Sequence, residues 1–174
     1  MMKAYRALGQ DDRLDAYLDE LEQDLKGFDV LIRSGNVMID AVLNSKLSLA
    51  KSHGIAINAK AVVPQELSFP DIDLCVILGN LLDNALTAAE ASQRKTITLD
   101  TACRNHYSVL VLSNSCDAPP RSNGRQLLST KSDARLHGYG LKSVASALSR
   151  YAGDYSWDYD PTAATFTVTI MLGL

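Results

Sequence analysis

A chain of 174 residues with a formal net charge of −3 is long enough for one domain with a hydrophobic core of its own. The acidic balance, without a basic cluster, argues against a nucleic-acid interface. The N-terminus has no signal-peptide pattern, and no apolar stretch reaches the roughly 18 residues of a membrane span. Three scattered cysteines without a Cys-x-x-Cys pair indicate neither zinc nor disulfides, which favours a reducing, cytosolic compartment. Cys75 falls in an apolar helical run and Cys103 in a strand-like run, and both are predicted to be core residues.

Residues 1–33 are predicted to form the C-terminal part of a helical hairpin. Met1–Leu8 has the character of a helix end, and apolar residues spaced three and four apart from Leu14 to Phe28 predict a second, amphipathic helix. A hairpin alone cannot bury its apolar stripe, so we expect it to pair with a second copy of itself; the alternative is that it folds back on its own domain. Because the first helix starts at Met1 without a cap, we expect the chain to be part of a longer protein.

Helical and extended patterns alternate from residue 34 onward. A turn at 34–36 precedes an amphipathic helix over 37–52. We expect His53 to cap this helix rather than to act as a catalyst, and Gly54 to be the left-handed residue that follows it. Alternating apolar residues then predict a strand over 55–63.

The most informative stretch is the apolar run from residue 74 to residue 89, which predicts a helix that opens at Pro70-Asp71. At the helical period, its core face consists of five aliphatic residues: Leu74, Leu78, Leu81, Ala85 and Ala89. Asn80 and Asn84 fall together on a neighbouring stripe. Because Asn is a poor helix former and a buried amide must be satisfied, the two indicate a ligand or a cation, although two half-exposed surface amides would give the same pattern.

Two hairpins and a long loop complete the pattern. Strands over 96–102 and 107–113 form the first hairpin, and strands over 155–159 and 165–172 form the second. Residues 116–136 are predicted to be a loop; loops of this length are usually functional, often as lids, and a merely mobile loop is the alternative. Gly138-x-Gly140 leads into an amphipathic helix whose N-terminus offers free N–H groups to an anion such as phosphate. This order predicts an α+β fold, a two-layer α/β sandwich with one mixed sheet covered on one face by helices.

Two motifs carry a family resemblance. Asn80-Leu81-Leu82-Asp83-Asn84-Ala85 resembles the N-box, and Gly138-x-Gly140-Leu141 the second glycine box, of the ATP-binding domain shared by gyrases and histidine kinases, the GHKL family with the Bergerat fold. With the segments 74–85, Ser129-Thr130-Lys131 and 137–144, the chain is similar to the quorum-sensing, peptide-responsive subgroup of sensor histidine kinases. The resemblance runs from about residue 29 to residue 172 and implies a GHKL catalytic domain over residues 34–174.

The resemblance implies a site for ATP and Mg²⁺. Asn84 would bind the metal through its side-chain oxygen, and Asn80 would lie one turn away, near the metal or a phosphate. Lys131 and Lys142 would add positive charge. The residues implied to contact the nucleotide are Asn80, Asp83, Asn84, Asn114, Thr130, Lys131, His137, Gly138, Tyr139, Gly140, Leu141 and Lys142. Positioning and neutralisation of this kind supply most of the catalysis in phosphoryl transfer.

Two departures from the family pattern matter. The family's first glycine box is Asp-x-Gly-x-Gly, but here residues 112–116 contain no glycine, and the amide oxygen of Asn114 is left to accept the adenine amino group. The second departure concerns the phosphoacceptor, because none of the three histidines, His53, His106 and His137, lies on the N-terminal hairpin. We therefore expect the phosphoacceptor outside this chain, and we assign no catalytic residue within it.

The resemblance thus implies the ATP-binding catalytic domain of a two-component sensor histidine kinase, which would transfer phosphate to an external His and act with a response regulator. It also implies a homodimer through the complete hairpin, and a cytoplasmic location in a membrane-bound sensor without membrane or nucleic-acid contact by this segment. The alternatives are a degenerate, non-catalytic dimerisation scaffold and an ATP hydrolase of the same fold. Hydrolysis requires a general base, and Asn80 stands where those relatives carry Glu.

Overall fold

A computed structural model describes residues 32–63, 70–104, 107–123, 126–127, 140–151 and 153–173. These all belong to the second of the chain's two units, Leu31–Leu174. The helices are α1 (Val37–Ser52), α2 (Asp71–Ala91) and α3 (Gly140–Leu148), the last extended by a 3-10 turn, Ser149–Tyr151. The strands are β1 (Ala56–Lys60), β2 (Thr96–Arg104), β3 (Tyr107–Ser115), β4 (Ser122–Asn123), β5 (Gln126–Leu127), β6 (Asp154–Asp160) and β7 (Thr165–Gly173). The predicted hairpin over 1–33 lies almost entirely outside the described residues, so it and its boundary stay predictions.

Five strands form one mixed sheet in the order β1-β2-β3-β7-β6, which confirms the predicted sheet. Strand β1 runs parallel to β2, and the other neighbours are antiparallel. Because partners in register point to the same face, rows of side chains can be followed across the sheet. One apolar row faces the helices: Ala59, Leu99, Leu112, Val168 and Trp157.

Helix α2 lies over this face, and all five residues of its predicted core face are buried. By length and composition alone, α2 is also long and apolar enough to cross a membrane, and among the described residues one helix meets this test. The expectation that no stretch reaches that length was therefore wrong. The apolar composition of α2 is that of a core helix, because half of its apolar stretch is buried inside the protein.

The neighbouring helices flank α2 in opposite directions. Three contacts join α1 to α2 in the same order along both: Asn36 Nδ2 to Asp71 Oδ2 (2.8 Å), Lys46 Nζ to Asp83 Oδ1 (2.6 Å) and His53 Nδ1 to Glu90 Oε1 (3.3 Å). Helices α1 and α2 are therefore parallel. The end of α3 instead meets the start of α2, because Arg150 Nη2 and the Tyr151 hydroxyl both donate to the carboxylate of Asp73. Helix α3 is therefore antiparallel to α2.

Several boundaries match the sequence expectations. Helix α1 spans the predicted residues, His53 is its C-cap as expected, and Gly54 has the left-handed φ of 72°. The predicted strand over 55–63 is shorter, because Thr101 takes over from the sheet ladder: its Oγ1 accepts from the Val62 N–H (2.7 Å) and donates to the Val62 carbonyl (3.0 Å). The four strands of the two predicted hairpins, β2, β3, β6 and β7, extend one to two residues beyond their predicted ends.

Two expectations need correction. Cys103 is exposed rather than a core residue, whereas Cys75 is buried as predicted. The physical reason is position: Cys103 lies two residues beyond the buried Thr101 and next to the last residue of β2, where the strand reaches the rim of the sheet. The segment 116–136 is also not purely a loop in its described part, because β4 pairs with β5 in a short antiparallel ladder.

Candidate functional site

The polar stripe of α2, defined here as Asn80, Asp83 and Asn84, presents three oxygen-bearing side chains on adjacent turns. Asn80 is half-buried, and its Nδ2 donates to the Val76 carbonyl of its own helix (2.8 Å), so its Oδ1 stays available as an acceptor. Asn84 is exposed and makes no hydrogen bond within the described residues. The stripe therefore offers at least two uncommitted amide oxygens.

The third member of the stripe is already engaged. Lys46 of α1 approaches Asp83, with Nζ 2.6 Å from Oδ1. Sequence reasoning missed Lys46, because the contact links two helices 37 positions apart and leaves no local periodicity. Asp73, which the helical period also places near this stripe, is instead held by Arg150 and Tyr151 at the far end of α2.

Asn114 occupies an unusual place in the sheet. Its register row on the helix-facing side is otherwise apolar or aromatic: Ile57, Ile97, Phe166 and Tyr159. The side chain is only 5% exposed, and its Nδ2 donates to the Ser115 carbonyl (2.9 Å). No described residue donates to its Oδ1. A buried amide with a free acceptor matches the role that the resemblance implies, which is to accept a hydrogen bond from a base.

A buried pair of serines fixes the end of β3 beneath the end of α2. The hydroxyls of Ser92 and Ser115 lie 2.6 Å apart, and Ser115 Oγ also accepts from the Thr96 N–H (2.9 Å). Asn114 therefore lies near the C-terminal end of α2. Asn84 precedes Ser92 by eight residues, which corresponds to roughly 12 Å along the helix. The adenine contact and the metal contact that the resemblance implies therefore lie at different levels of α2.

Helix α3 begins on the level of the polar stripe. Tyr151 contacts Asp73, and Gly140 lies eleven residues before Tyr151. Because α3 runs antiparallel to α2, moving from Tyr151 toward Gly140 corresponds to moving from Asp73 toward the C-terminus of α2. Eleven residues along α2 from Asp73 lead to Asn84. By this count the N-terminus of α3 lies at about the same level of α2 as the stripe, and a helix N-terminus offers free N–H groups and a positive dipole to an anion. The buried Val144 and Leu148 anchor the helix to the core.

The rest of the predicted site cannot be placed. Thr130, Lys131, His137, Gly138 and Tyr139 lie outside the described residues. For Leu141 and Lys142 the structure describes the helical backbone but not the side chains. The structure therefore places the stripe on α2 and Asn114 near the C-terminal end of that helix, and the segment before α3 stays a prediction.

The donor set near Asn84 fits a cation that arrives with a ligand. Within the described ranges no group of three or more His, Cys, Asp or Glu side chains is arranged to hold a metal by itself. An amide carbonyl oxygen is an oxygen donor of the kind that suits Mg²⁺, and Mg²⁺ in nucleotide sites takes much of its coordination from waters and substrate phosphates. A groove of about 350 Å³ lies elsewhere, along β1 beside Lys51 and Ile55, and it has no part in this arrangement.

Comparisons with known proteins identify the family and the fold. Residues 70–172 match the family model described as "GHKL domain". The mycobacterial sensor histidine kinase MprB is similar, with a TM-score of 0.58 and 18% identity over 78% of this chain and 95% of that chain. A nucleotide-free form of the catalytic domain of histidine kinase ThkA gives a TM-score of 0.62 and 14% identity over 78% of this chain and 90% of that chain.

A second nucleotide-free form of ThkA gives a TM-score of 0.61 and 15% identity over 81% of this chain and 92% of that chain. These similarities to histidine kinase catalytic domains show the fold. No curated protein matches the chain. Since the family model spans more than half of the 174 residues, the chain belongs to the GHKL-domain family.

Proposed function

We propose that this chain is the ATP-binding catalytic domain of a two-component sensor histidine kinase, which binds Mg-ATP for phosphoryl transfer to a histidine outside the chain. The observation that carries the proposal is the exposed amide of Asn84, which makes no hydrogen bond within the described residues and lies one turn after Asn80 on α2. The amide oxygen would hold Mg²⁺, and the N-terminus of α3 would bind phosphate oxygens. The free Oδ1 of Asn114 would receive the adenine amino group at the other end of the ligand.

The stripe favours transfer over hydrolysis. Hydrolysis by this fold needs a carboxylate to accept a proton from water, and an amide such as Asn80 has no basic function at neutral pH. In the structure the Asn80 amide is held by its own helix through the Val76 carbonyl (2.8 Å). The bound metal would neutralise the developing phosphate charge, and the chain's own groups would orient the terminal phosphate for an external nucleophile.

The finer identity rests on the motifs. Their likeness to the quorum-sensing, peptide-responsive kinases supports a membrane-bound sensor whose cytoplasmic portion contains this chain. A response regulator would receive the phosphate, and the complete N-terminal hairpin would form a homodimer. His53 does not suit a phosphoacceptor, since it caps α1 and lies 3.3 Å from Glu90. This supports a phosphoacceptor outside the chain.

The experiment that tests the proposal is calorimetric titration of the chain with ATP and with ADP, with and without Mg²⁺. We expect micromolar-range affinity, and for Asn84→Ala a loss of about tenfold that is confined to the titrations with Mg²⁺, because the variant removes one metal ligand. Asn58→Ala is the matched control, since Asn58 is an exposed amide on strand β1 away from the site.

Absence of binding to either nucleotide would contradict the proposal. It would favour a scaffold that keeps the fold and has lost the nucleotide. The observation behind that second function is the stretch 112–116, which contains no glycine and in which the Asn114 amide already donates to its neighbour Ser115.

A further inference from the structure

Each of the four acidic side chains of α2 has a partner. Asp71 accepts from Asn36, Asp73 from Arg150 and Tyr151, and Glu90 lies near His53. Three of these contacts lie at or near the ends of α2. The fourth, Lys46 with Asp83, lies within the polar stripe, and Asp83 is the direct neighbour of Asn84.

The charge of Asp83 matters to a phosphate-bearing ligand. A carboxylate within about 6 Å of a polyphosphate repels it, and at the surface each pair of unit charges interacts by about 1 kcal/mol or more before screening by salt. A free carboxylate beside Asn84 would also attract a cation without any nucleotide. Compensation of the charge of Asp83 would therefore favour a polyphosphate at the stripe, most of all when no metal is bound.

Lys46 supplies that compensation from another helix. Its Nζ lies 2.6 Å from Asp83 Oδ1, and the side chains of Lys46 and Asp83 are 31% and 58% exposed. An exposed pair of this kind contributes little to folding stability. The pair has a larger effect on the electrostatic potential near Asn84 than on folding stability, because it replaces a unit negative charge with a dipole.

We propose that Lys46 is a positioning residue for the metal–nucleotide site: it neutralises Asp83 and holds its carboxylate toward α1, so that Asn84 alone faces the metal. The inference rests on the proposed function and extends it to a residue outside both family motifs. It predicts that the Lys46–Asp83 pair sets how strongly nucleotide binding depends on Mg²⁺.

The test is the ratio of ATP dissociation constants measured by calorimetry in EDTA and in Mg²⁺. In Lys46→Met, which keeps the side-chain length and removes the charge, we expect the affinity in EDTA to fall by about three- to tenfold at ~50 mM NaCl. We expect a smaller fall in Mg²⁺, because the cation shields the exposed carboxylate, so the ratio rises. The effect should shrink at ~300 mM NaCl.

Three further variants separate this role from a structural one. Lys46→Arg should keep the wild-type ratio. Asp83→Asn added to Lys46→Met should restore the affinity in EDTA, since no unpaired carboxylate is left. Glu90→Gln is the matched control, because it removes the other contact between charged side chains of α1 and α2, that of His53 with Glu90. The His53 side chain is 39% exposed and the Glu90 side chain 55%. This variant should leave the ratio unchanged.

The outcomes are distinguishable. Wild-type binding of ATP with an unchanged ratio in Lys46→Met would overturn the inference and leave the proposed function standing. A double variant that binds as poorly as Lys46→Met would also overturn it, because the loss would then not come from Asp83. Failure of the wild-type chain to bind ATP would overturn both.

Discussion

Three amides mark the candidate site at the scale of single residues: Asn80, Asn84 and Asn114. An amide oxygen can bind a metal or accept a hydrogen bond without bringing a negative charge toward a polyphosphate. An amide also carries a nitrogen that needs a hydrogen-bond acceptor when it is buried. In Asn114 this Nδ2 donates to the Ser115 carbonyl (2.9 Å). The side chain thus separates its two functions, with the nitrogen bound to the protein and the oxygen free.

Replacing Asn114 should affect binding more than folding. We expect Asn114→Ala to lower ATP affinity by about tenfold and to reduce the preference for ATP over GTP, because the acceptor for the adenine amino group is lost. The stability loss should be about 1 kcal/mol, the net contribution of one hydrogen bond. Titration with both nucleotides and urea denaturation measure the two effects.

Ser113 provides the control for this variant. It precedes Asn114 by one position, points to the opposite face of the sheet and bonds to Thr167 (2.8 Å). Ser113→Ala should leave ATP binding unchanged. If Asn114→Ala bound ATP as the wild type does, Asn114 would not be the adenine contact.

What the sequence could predict at this scale depended on local spacing. Asn80 and Asn84 stand out because they are four apart on one helix, and the resemblance identified Asn114. Lys46 and the Ser92–Ser115 pair could not be predicted, because their contacts join segments 37 and 23 positions apart. No pattern within one element reports such pairs.

At the scale of elements, the junction between α3 and β6 is the tightest described turn that a glycine occupies. A Cβ on Gly153 would lie 3.0 Å from the Met171 carbonyl oxygen and 3.0 Å from Leu172 Cδ2. The Gly153 N–H also donates to the carbonyl of Leu148, the last residue of α3 (3.1 Å). The close approach of β7 therefore requires glycine here.

Gly153→Ala should destabilise the domain by about 1–3 kcal/mol, because the backbone of β7 cannot move aside without disturbing the sheet. Gly79→Ala is the opposite case, since its Cβ would meet nothing within 4 Å and the residue lies inside α2. We expect that variant to gain about 0.5–1 kcal/mol from helix propensity. Urea denaturation of both measures the contrast, and equal effects would contradict the packing argument.

The elements themselves followed largely from periodicity. Helix α1 and the two hairpins are where alternation and the helical period place them. The errors have a common cause, which is that side chains from elsewhere decide where pairing stops. Thr101 ends β1 early through its hydrogen bonds to Val62, and Cys103 is exposed because it lies at the end of β2, next to the last residue of the strand.

For the whole molecule, the antiparallel contact between α3 and α2 couples stability to pH. The Tyr151 hydroxyl donates to Asp73, and this hydrogen bond, followed by burial, raises the pKa of Tyr151 above its usual value of 10.0. A raised pKa means that the contribution to stability is fully present below pH 10.0 and is lost as pH rises through the folded-state pKa. The domain should therefore lose this contribution in alkaline solution.

Tyr151→Phe should be less stable than the wild type at neutral pH. The difference should narrow as the pH rises through the folded-state pKa of Tyr151, which lies above 10.0, because the wild-type hydroxyl then ionises and no longer donates to Asp73. Urea denaturation at intervals from about pH 7 to about pH 11 measures this. Tyr107→Phe is the control, since the exposed Tyr107 hydroxyl has no hydrogen bond in the described part of the chain. A difference that persisted unchanged at the highest pH would contradict the role of the hydrogen bond.

The order of elements predicted the two-layer architecture, because strands and helices that alternate in this way must share one sheet. The strand order β1-β2-β3-β7-β6 was not predicted. It depends on the long-range pairing of β3 with β7, which no local pattern specifies. The parallel and antiparallel directions of the flanking helices likewise became evident only from their side-chain contacts.

Helix α2 also has a consequence for the newly synthesised chain, before the sheet exists to cover it. Its length and apolar composition match those of a membrane span. An Asp near the centre of such a segment opposes insertion into a bilayer by roughly 2.5–3.5 kcal/mol, and Asp83 lies two residues from the midpoint of Asp71–Ala91. The stripe that is proposed to bind the nucleotide therefore also biases the nascent helix away from lipid and toward its own sheet.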